Sequence, residues 1–275
     1  VKLSPTELWR SARLPSGPAT LHAEVEAPDR IVAEAWGPGA EALLEAAPRL
    51  LGLHDDPRSF EPEHTGVLKL HRRALGLRYS VVPDPLQILI QTILGQRVRW
   101  QDAATAYAGL VHAQGTPAPG PHPQLYVLPE PRRLARLPLH EYAVHGIEQQ
   151  RARIIVRVCQ SHRRIQELLS MDYEQAQARL RAFPGVGPWT ASNVCSHGLG
   201  FTDAVVLGDL KLPHLICFAL TGELRGDDET MLELLEPFRP HRGRVIRLIS
   251  DAGIKPPKLA PRARLGPSPG YKRKR

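Results

Sequence analysis

The spacing of apolar and polar residues divides the chain into a short strand-prone opening and a long helical remainder. Leu21, Ala23 and Val25 alternate with His22, Glu24 and Glu26, the period of a half-buried strand. Pro28-Asp29 supplies a turn, and residues 31–36 (IVAEAW) read as a second strand that Gly37-Pro38-Gly39 breaks. Residues 41–51 have helical spacing interrupted at Pro48, and Trp9 and Trp36 are expected in the core of this small antiparallel piece. Residues 54–66 carry His54, Asp55, Asp56 and His64, whose spacing matches no set of metal ligands, and read as a solvated loop. From Leu75 the chain is extended up to Pro83 and Pro85. Residues 86–94 (LQILIQTIL) are apolar almost all round, as a buried central helix must be, and end at Gly95. A second helix is expected over 102–113, then a Pro/Gly-dense loop over 115–123, then a short helix stopped by Gly146. Over 149–169, Ile154, Ile155, Val158, Ile165, Leu168 and Leu169 share one face, with an arginine face opposite that reads as solvated.

Two helices then flank a tight turn. Tyr173, Ala176, Leu180 and Phe183 fall on one helical face, and Trp189, Val194, Cys195 and Leu199 continue the spacing beyond Phe183-Pro184-Gly185-Val186-Gly187-Pro188. Glycine belongs where the chain needs positive φ or where a ligand must reach the backbone. Pro188 opens the second helix at a position where proline costs little, and the free N–H groups at that helix start form an anion site. Farther on, the apolar run Ala204-Val205-Val206-Leu207 ends at Gly208-Asp209-Leu210, and Pro213 opens the next helix. Asp209 therefore lies near a helix N-terminus, where a carboxylate is stabilised and where it also fits as an N-cap.

The string Pro184-Gly185-Val186-Gly187-Pro188-Trp189-Thr190-Ala191, followed at about twenty residues by an Asp on a short loop, resembles the helix-hairpin-helix DNA glycosylases. Within them it is most similar to the bacterial 3-methyladenine DNA glycosylase II group of alkylation repair. The resemblance implies a mainly α fold, a helical bundle preceded by a small α+β antiparallel-sheet subdomain. The expected boundaries are 1–80 for the subdomain, 81–254 for the helical domain with its hairpin at 183–189, and 255–275 for a basic, disordered tail. It implies a hydrolase that flips a damaged base, an alkylated purine, out of double-stranded DNA and cleaves its N-glycosidic bond. Asp209 takes the catalytic place, and Trp189, Asn193 and His241 line the base pocket. Gly185, Val186, Gly187, Thr190, Gln96 and Arg97 contact DNA, and a Na or K ion is implied at the hairpin backbone near Gly185 and Gly187. Residues 236–242 (EPFRPHR) resemble the family's closing motif, and Arg242, Arg244 and Arg247 then give the last helix a basic face.

Three positions depart from the family's pattern. Arg97 stands where an apolar wedge is usual, and His241 and Asn193 stand where aromatics often line the pocket. They leave open a deaminated or oxidised base (hypoxanthine, uracil, 8-oxoguanine), or a hairpin kept only for DNA binding. Trp189 occupies the place of the lysine of lyase-competent relatives, and Lys211 is near in sequence but not at that position, so no lyase activity is expected.

Composition adds less. The formal net charge of +8 and the isoelectric point near 9.7 favour an anionic partner. Eight basic residues in 255–275, from Lys255 to Arg275, account for the whole of that excess. Cys159, Cys195 and Cys217 are widely spaced in apolar surroundings, which argues for buried thiols and against a four-cysteine iron–sulfur cluster. With no signal peptide and no apolar run of bilayer length, the chain reads as a cytoplasmic, nucleoid-associated monomer.

Overall fold

The computed structural model describes residues 1–257; the tail expected to be disordered lies, from residue 258 on, outside them. The chain opens with an antiparallel meander of β1 (Lys2–Leu3), β2 (Glu7–Leu14), β3 (Gly17–Ala27) and β4 (Arg30–Trp36), neighbours in that order. β3 and β4 pair through Leu21↔Ala35 and Ala23↔Ala33 about the Pro28-Asp29 turn. Ala19 and Leu21 are buried with Leu43, Ala47 and Leu50 of helix α1 (Ala40–Leu50), which runs through Pro48 in its last turn. β2 has no clean alternation because its polar side chains face protein. Arg10 donates to Gln87 (3.0 Å), Ser11 to the Tyr126 carbonyl (2.7 Å) and Arg13 to the Leu128 carbonyl (2.8 Å). These bonds join the sheet to the helical body. Trp9 and Trp36 are half-buried, not core: their rings stack 5.6 Å apart, and His22 stacks on Trp9 at 4.1 Å.

The segment expected to be a solvated loop holds a 3₁₀ turn at Pro57–Ser59, and helix α2 (Thr65–Arg73) begins at its end. Asp56 caps the turn, His64 caps α2, and Phe60 is buried. The helices that follow are α3 (Pro85–Leu94), α4 (Trp100–Gln114), α5 (Pro131–Arg136), α6 (Leu139–Ala143), α7 (Gln149–Gln160) and α8 (His162–Gln166). Short strands β5 (Thr116–Pro117) and β6 (Tyr126–Val127) pair between α4 and α5. After a 3₁₀ turn come α9 (Tyr173–Arg181), α10 (Pro188–Gly198), α11 (Leu212–Thr221), α12 (Asp228–Leu235) and α13 (Arg242–Asp251). α3 is the hub, packing against α4, α7, α8 and α10 with Leu86, Leu89, Ile90, Ile93 and Leu94 buried. A second apolar cluster gathers Val205, Ile216, Met231, Leu235, Val245 and Ile249 with Phe60 and Val67. The stretch 57–73, grouped by sequence with the N-terminal piece, thus packs with the C-terminal helices.

The basic face of the last helix differs from expectation, and the arginine face over 149–169 is exposed as expected except at Arg151. Arg244 is fully buried and paired with Asp55, with its guanidinium 5.2 Å from the Tyr79 ring centre. Arg242, also buried, binds Asp203 (2.6 Å) and Glu236 (3.2 Å). On α7, Arg151 is buried and donates to the Leu94 carbonyl at 2.9 Å. A buried charge persists only with such partners, so these arginines tie helices together and are not open to solvent. Among the described residues no helix is long and apolar enough to cross a membrane.

Candidate active site

The hairpin starts from a firmly ended helix. Asp172 and Gln175 form a reciprocal capping box at the start of α9, and the chain leaves that helix through Phe183 and Pro184. Val186 N–H donates to the Phe183 carbonyl at 2.9 Å, closing the turn, while the Val186 side chain is buried. Gly185 has φ +94°, and a Cβ built there would lie 2.5 Å from the Ile154 side chain, so the turn rests directly on α7. Gly187, the N-cap of α10, has ordinary extended backbone, and a Cβ there would meet nothing within 4 Å. Pro188 has no N–H, and the first-turn N–H groups of Trp189 and Thr190 have no intrahelical acceptors. Backbone donors thus border open space at the hairpin tip.

The end of α3 is strapped to this hairpin. Gln96 donates through one amide nitrogen to the Gly185 carbonyl (3.0 Å) and to the Thr190 hydroxyl (2.9 Å). Thr190 is 2% exposed and its hydroxyl accepts from Gln96, so its side chain serves the strap between α3 and the hairpin. Arg97 follows with an exposed side chain and φ +57°, the one non-glycine residue of positive φ among the described residues. A side chain at Gly95 would lie 3.6 Å from the Trp189 ring, which places the end of α3 against that indole.

Trp189 also reaches the third component. Its indole N–H donates to Asp209 Oδ2 at 3.0 Å. Asp209 Oδ1 accepts the N–H groups of Lys211 (2.8 Å) and Leu212 (3.0 Å), the cap-like contacts at the start of α11. The loop is pinned from behind by Gly208 N–H donating to Asp228 at 2.8 Å. Partial burial alone would raise the Asp209 pKa, but the Lys211, Trp189 and Leu212 donors and the Lys211 charge hold it below the ordinary 3.8. The group is a half-buried, ionised carboxylate, an acceptor fixed in direction on both oxygens. Next to it Leu210 is 90% exposed, an apolar side chain that the sequence pattern did not single out.

The remaining expected site residues fall differently. Asn193 lies one turn below Trp189 and donates to the Trp189 carbonyl at 2.8 Å, so its amide N–H is folded back on the helix. His241 stands at the start of α13 with no capping bond from its side chain and packs 5.2 Å from Phe60; its charged and imidazole neighbours are Arg244, Asp55, Asp203 and His71, a set that does not include Trp189 or Asp209. Burial and the Arg244 charge lower its pKa, so its ring is neutral near pH 7. The α7 residues Ile154 and Arg157 meet the hairpin, a contact that no local signal in α7 announces. A cavity of about 1080 Å³ lies along α4 between Ser11, Gln87, Tyr107 and Tyr126, with neither Trp189 nor Asp209 in its lining.

No family model matches the chain. A probable bifunctional transcriptional activator/DNA repair enzyme AlkA of Mycobacterium tuberculosis is 30% identical over 171 residues, 60% of this chain and 34% of that protein. A DNA-3-methyladenine glycosylase of Bacillus subtilis is 25% identical over 172 residues, 61% of this chain and 57% of that protein. The chain thus spans about a third to somewhat over half the length of these curated relatives. Among solved structures, a 3-methyladenine DNA-glycosylase from Archaeoglobus fulgidus superposes with a TM-score of 0.72 at 20% identity, over 88% of this chain and 85% of that one. An 8-oxoguanine glycosylase/lyase of Clostridium acetobutylicum, bound to DNA with cytosine opposite 8-oxoG, does so with 0.67 at 15% identity, over 90% and 89%. At these identities the structures share a fold with the chain.

Proposed function

From its helix-hairpin-helix DNA glycosylase fold, and its sequence kinship with alkylation-repair members of that superfamily, we infer that the chain excises a damaged base from duplex DNA, acting as a monomer. The substrate is an alkylated purine, and the strand is left uncut. The observation that carries this reading is the 3.0 Å bond from Trp189 to Asp209, which holds an ionised carboxylate beside an aromatic face at the hairpin helix.

An N-glycosidic bond becomes accessible only when its nucleotide leaves the stack. The N–H groups around Gly185 and Gly187 grip a backbone phosphate, using the open space at the tip. Arg97, exposed at the end of α3, fills the gap or binds a flanking phosphate. Trp189 offers its face to the everted base, which suits the electron-poor ring of an alkylated purine. Asn193, folded back on the Trp189 carbonyl, and His241, packed against Phe60, have no contact with Asp209 and take no part in this reading. As the base departs, the sugar becomes oxocarbenium-like, and the Asp209 carboxylate stabilises that charge and orients the attacking water. Trp189 leaves no amine on α10 for a Schiff base, so hydrolysis is the outcome. A Na or K ion at the hairpin would be held by backbone carbonyls there; those of Pro184 and Gly185 each accept one hydrogen bond, from Arg157 and Gln96, and keep a second lone pair.

Asp209→Asn tests the reading, because the amide keeps the shape and much of the capping while removing the charge. On duplexes carrying single lesions (alkylated, deaminated or oxidised), single-turnover excision should fall by orders of magnitude with lesion binding retained. Excision by this variant at the parental rate would leave Asp209 as a helix cap only. Loss of an oxidised or deaminated base from the parental protein, with none of an alkylated one, would reassign the substrate.

A further inference from the structure

On α7 the exposed positions Arg153, Arg157 and Gln160 form a stripe at i, i+4 and i+7, while Ile154, Ile155 and Val158 face the core. This helix is the floor of the hairpin, because Ile154 fills the space under Gly185. One turn on from Ile154, the Arg157 Nη1 donates to the Pro184 carbonyl at 3.4 Å, which brings its guanidinium to the rim of the turn. Nearby arginines are spent on the protein: Arg151 on the Leu94 carbonyl and Glu148, Arg179 on Glu167. Among the described residues Arg153 and Arg157 have no carboxylate partner. A guanidinium carries five N–H donors in a planar fork, and the Pro184 contact engages one at the long end of the hydrogen-bond range.

We propose that Arg157 binds a second phosphate, next along the strand from the one gripped by the hairpin N–H groups, and that Arg153, one turn behind it, binds the phosphate after that. This rests on the reading of the hairpin as a DNA-phosphate site. Phosphates follow one another every 3.4 Å of axial rise on one strand, and a helix turn rises 5.4 Å, so two long side chains a turn apart cover neighbouring phosphates. The fork of Arg157 suits bidentate phosphate contact, whereas the hairpin supplies single N–H groups. Such a contact fixes the register of the duplex on the enzyme without reading sequence.

The test is the salt dependence of binding to a duplex carrying an abasic-site analogue. The parental protein should show a steep linear fall of log Kobs with log salt. Arg157→Ala should flatten that slope by about 1 and weaken binding at low salt by about tenfold, and Arg153→Ala, Arg157→Ala together by about 2. Arg157→Lys should keep the slope, since the charge remains, while losing part of the affinity. If Arg157 only braces the turn, Arg157→Ala will lower affinity by the same factor at every salt concentration with the slope intact, and the proposal is wrong. A steep parental slope that survives in both alanine variants refutes this inference alone. A parental affinity indifferent to salt removes the DNA-binding reading on which it stands.

Discussion

At the scale of single residues, Trp189 does two things that separate variants can tell apart. It presents a ring face, and it donates a hydrogen bond to Asp209. Trp189→Ala loses both, at a cost in excision on the order of 1–3 kcal/mol for the stacking part alone. Trp189→Phe keeps a ring and deletes only the donor. The Asp209 pKa should then rise from its depressed position toward 3.8, and excision should slow although lesion binding changes little. The pH profile is the readout. In the parental protein the carboxylate is ionised throughout pH 5–8, so it contributes no slope there. A depressed folded pKa also gives stability that is fully present above 3.8 and lost only as pH falls through the lower folded value. An acid limb that does not move in Trp189→Phe would show that the indole N–H has no hold on the carboxylate. For Asp209→Asn each tenfold loss in rate corresponds to about 1.4 kcal/mol of transition-state stabilisation.

At the scale of elements, the two hairpin glycines have different reasons to be glycine. Gly185 combines φ +94° with a Cβ that would lie 2.5 Å from Ile154. Gly185→Ala therefore strains the backbone and pushes on α7, a destabilisation of about 1–3 kcal/mol visible as a lower melting temperature. Gly187 has ordinary backbone and open space around the missing Cβ. Gly187→Ala should melt like the parent but bind lesion duplex more weakly, because the methyl group would stand in the open space proposed for the phosphate. Melting curves and binding isotherms on the two variants separate these causes. Equal melting and equal binding in Gly187→Ala would place the phosphate elsewhere on the hairpin.

At the scale of the whole molecule, the buried pair Asp55–Arg244 joins the segment before α2 to the last helix, 189 residues away in sequence. Asp55 also accepts the Tyr79 N–H at 2.9 Å, and Arg244 donates to the Leu77 carbonyl at 3.3 Å, so the pair clamps the extended lead-in to α3. Asp55→Ala leaves the Arg244 charge buried without its partner, and denaturant unfolding should show a loss of about 3–5 kcal/mol. The double change Asp55→Ala, Arg244→Met should recover much of it, since the unpaired charge is then gone. A single variant as stable as the parent would mean that water or another acceptor replaces Asp55. Excision by folded molecules should survive, because neither residue touches Trp189 or Asp209.

Periodicity and turn chemistry are properties of neighbouring residues, and what depends on them was legible in the sequence alone. The strands about Pro28-Asp29, the apolar helix α3, the glycine hairpin with Pro188 opening α10, and the place of Asp209 before α11 all belong to that class. β2 did not, because Arg10, Ser11 and Arg13 hide their alternation by bonding to groups 77 to 115 residues away. Nor could the charge on α13 be read locally. An arginine at a helical position looks the same whether it meets water or Asp55, and only packing decides which. The same holds for α2, whose Val67 finds its neighbours in α11, α12 and α13. At the site, the sequence named Trp189, Gln96 and Asp209 as separate candidates. That Trp189 binds Asp209, that Gln96 straps α3 to Gly185 and Thr190, and that Arg157 reaches Pro184 were decided by tertiary structure. Each is a contact between helices whose mutual placement depends on the buried surfaces between them, and no window of neighbouring residues contains that information.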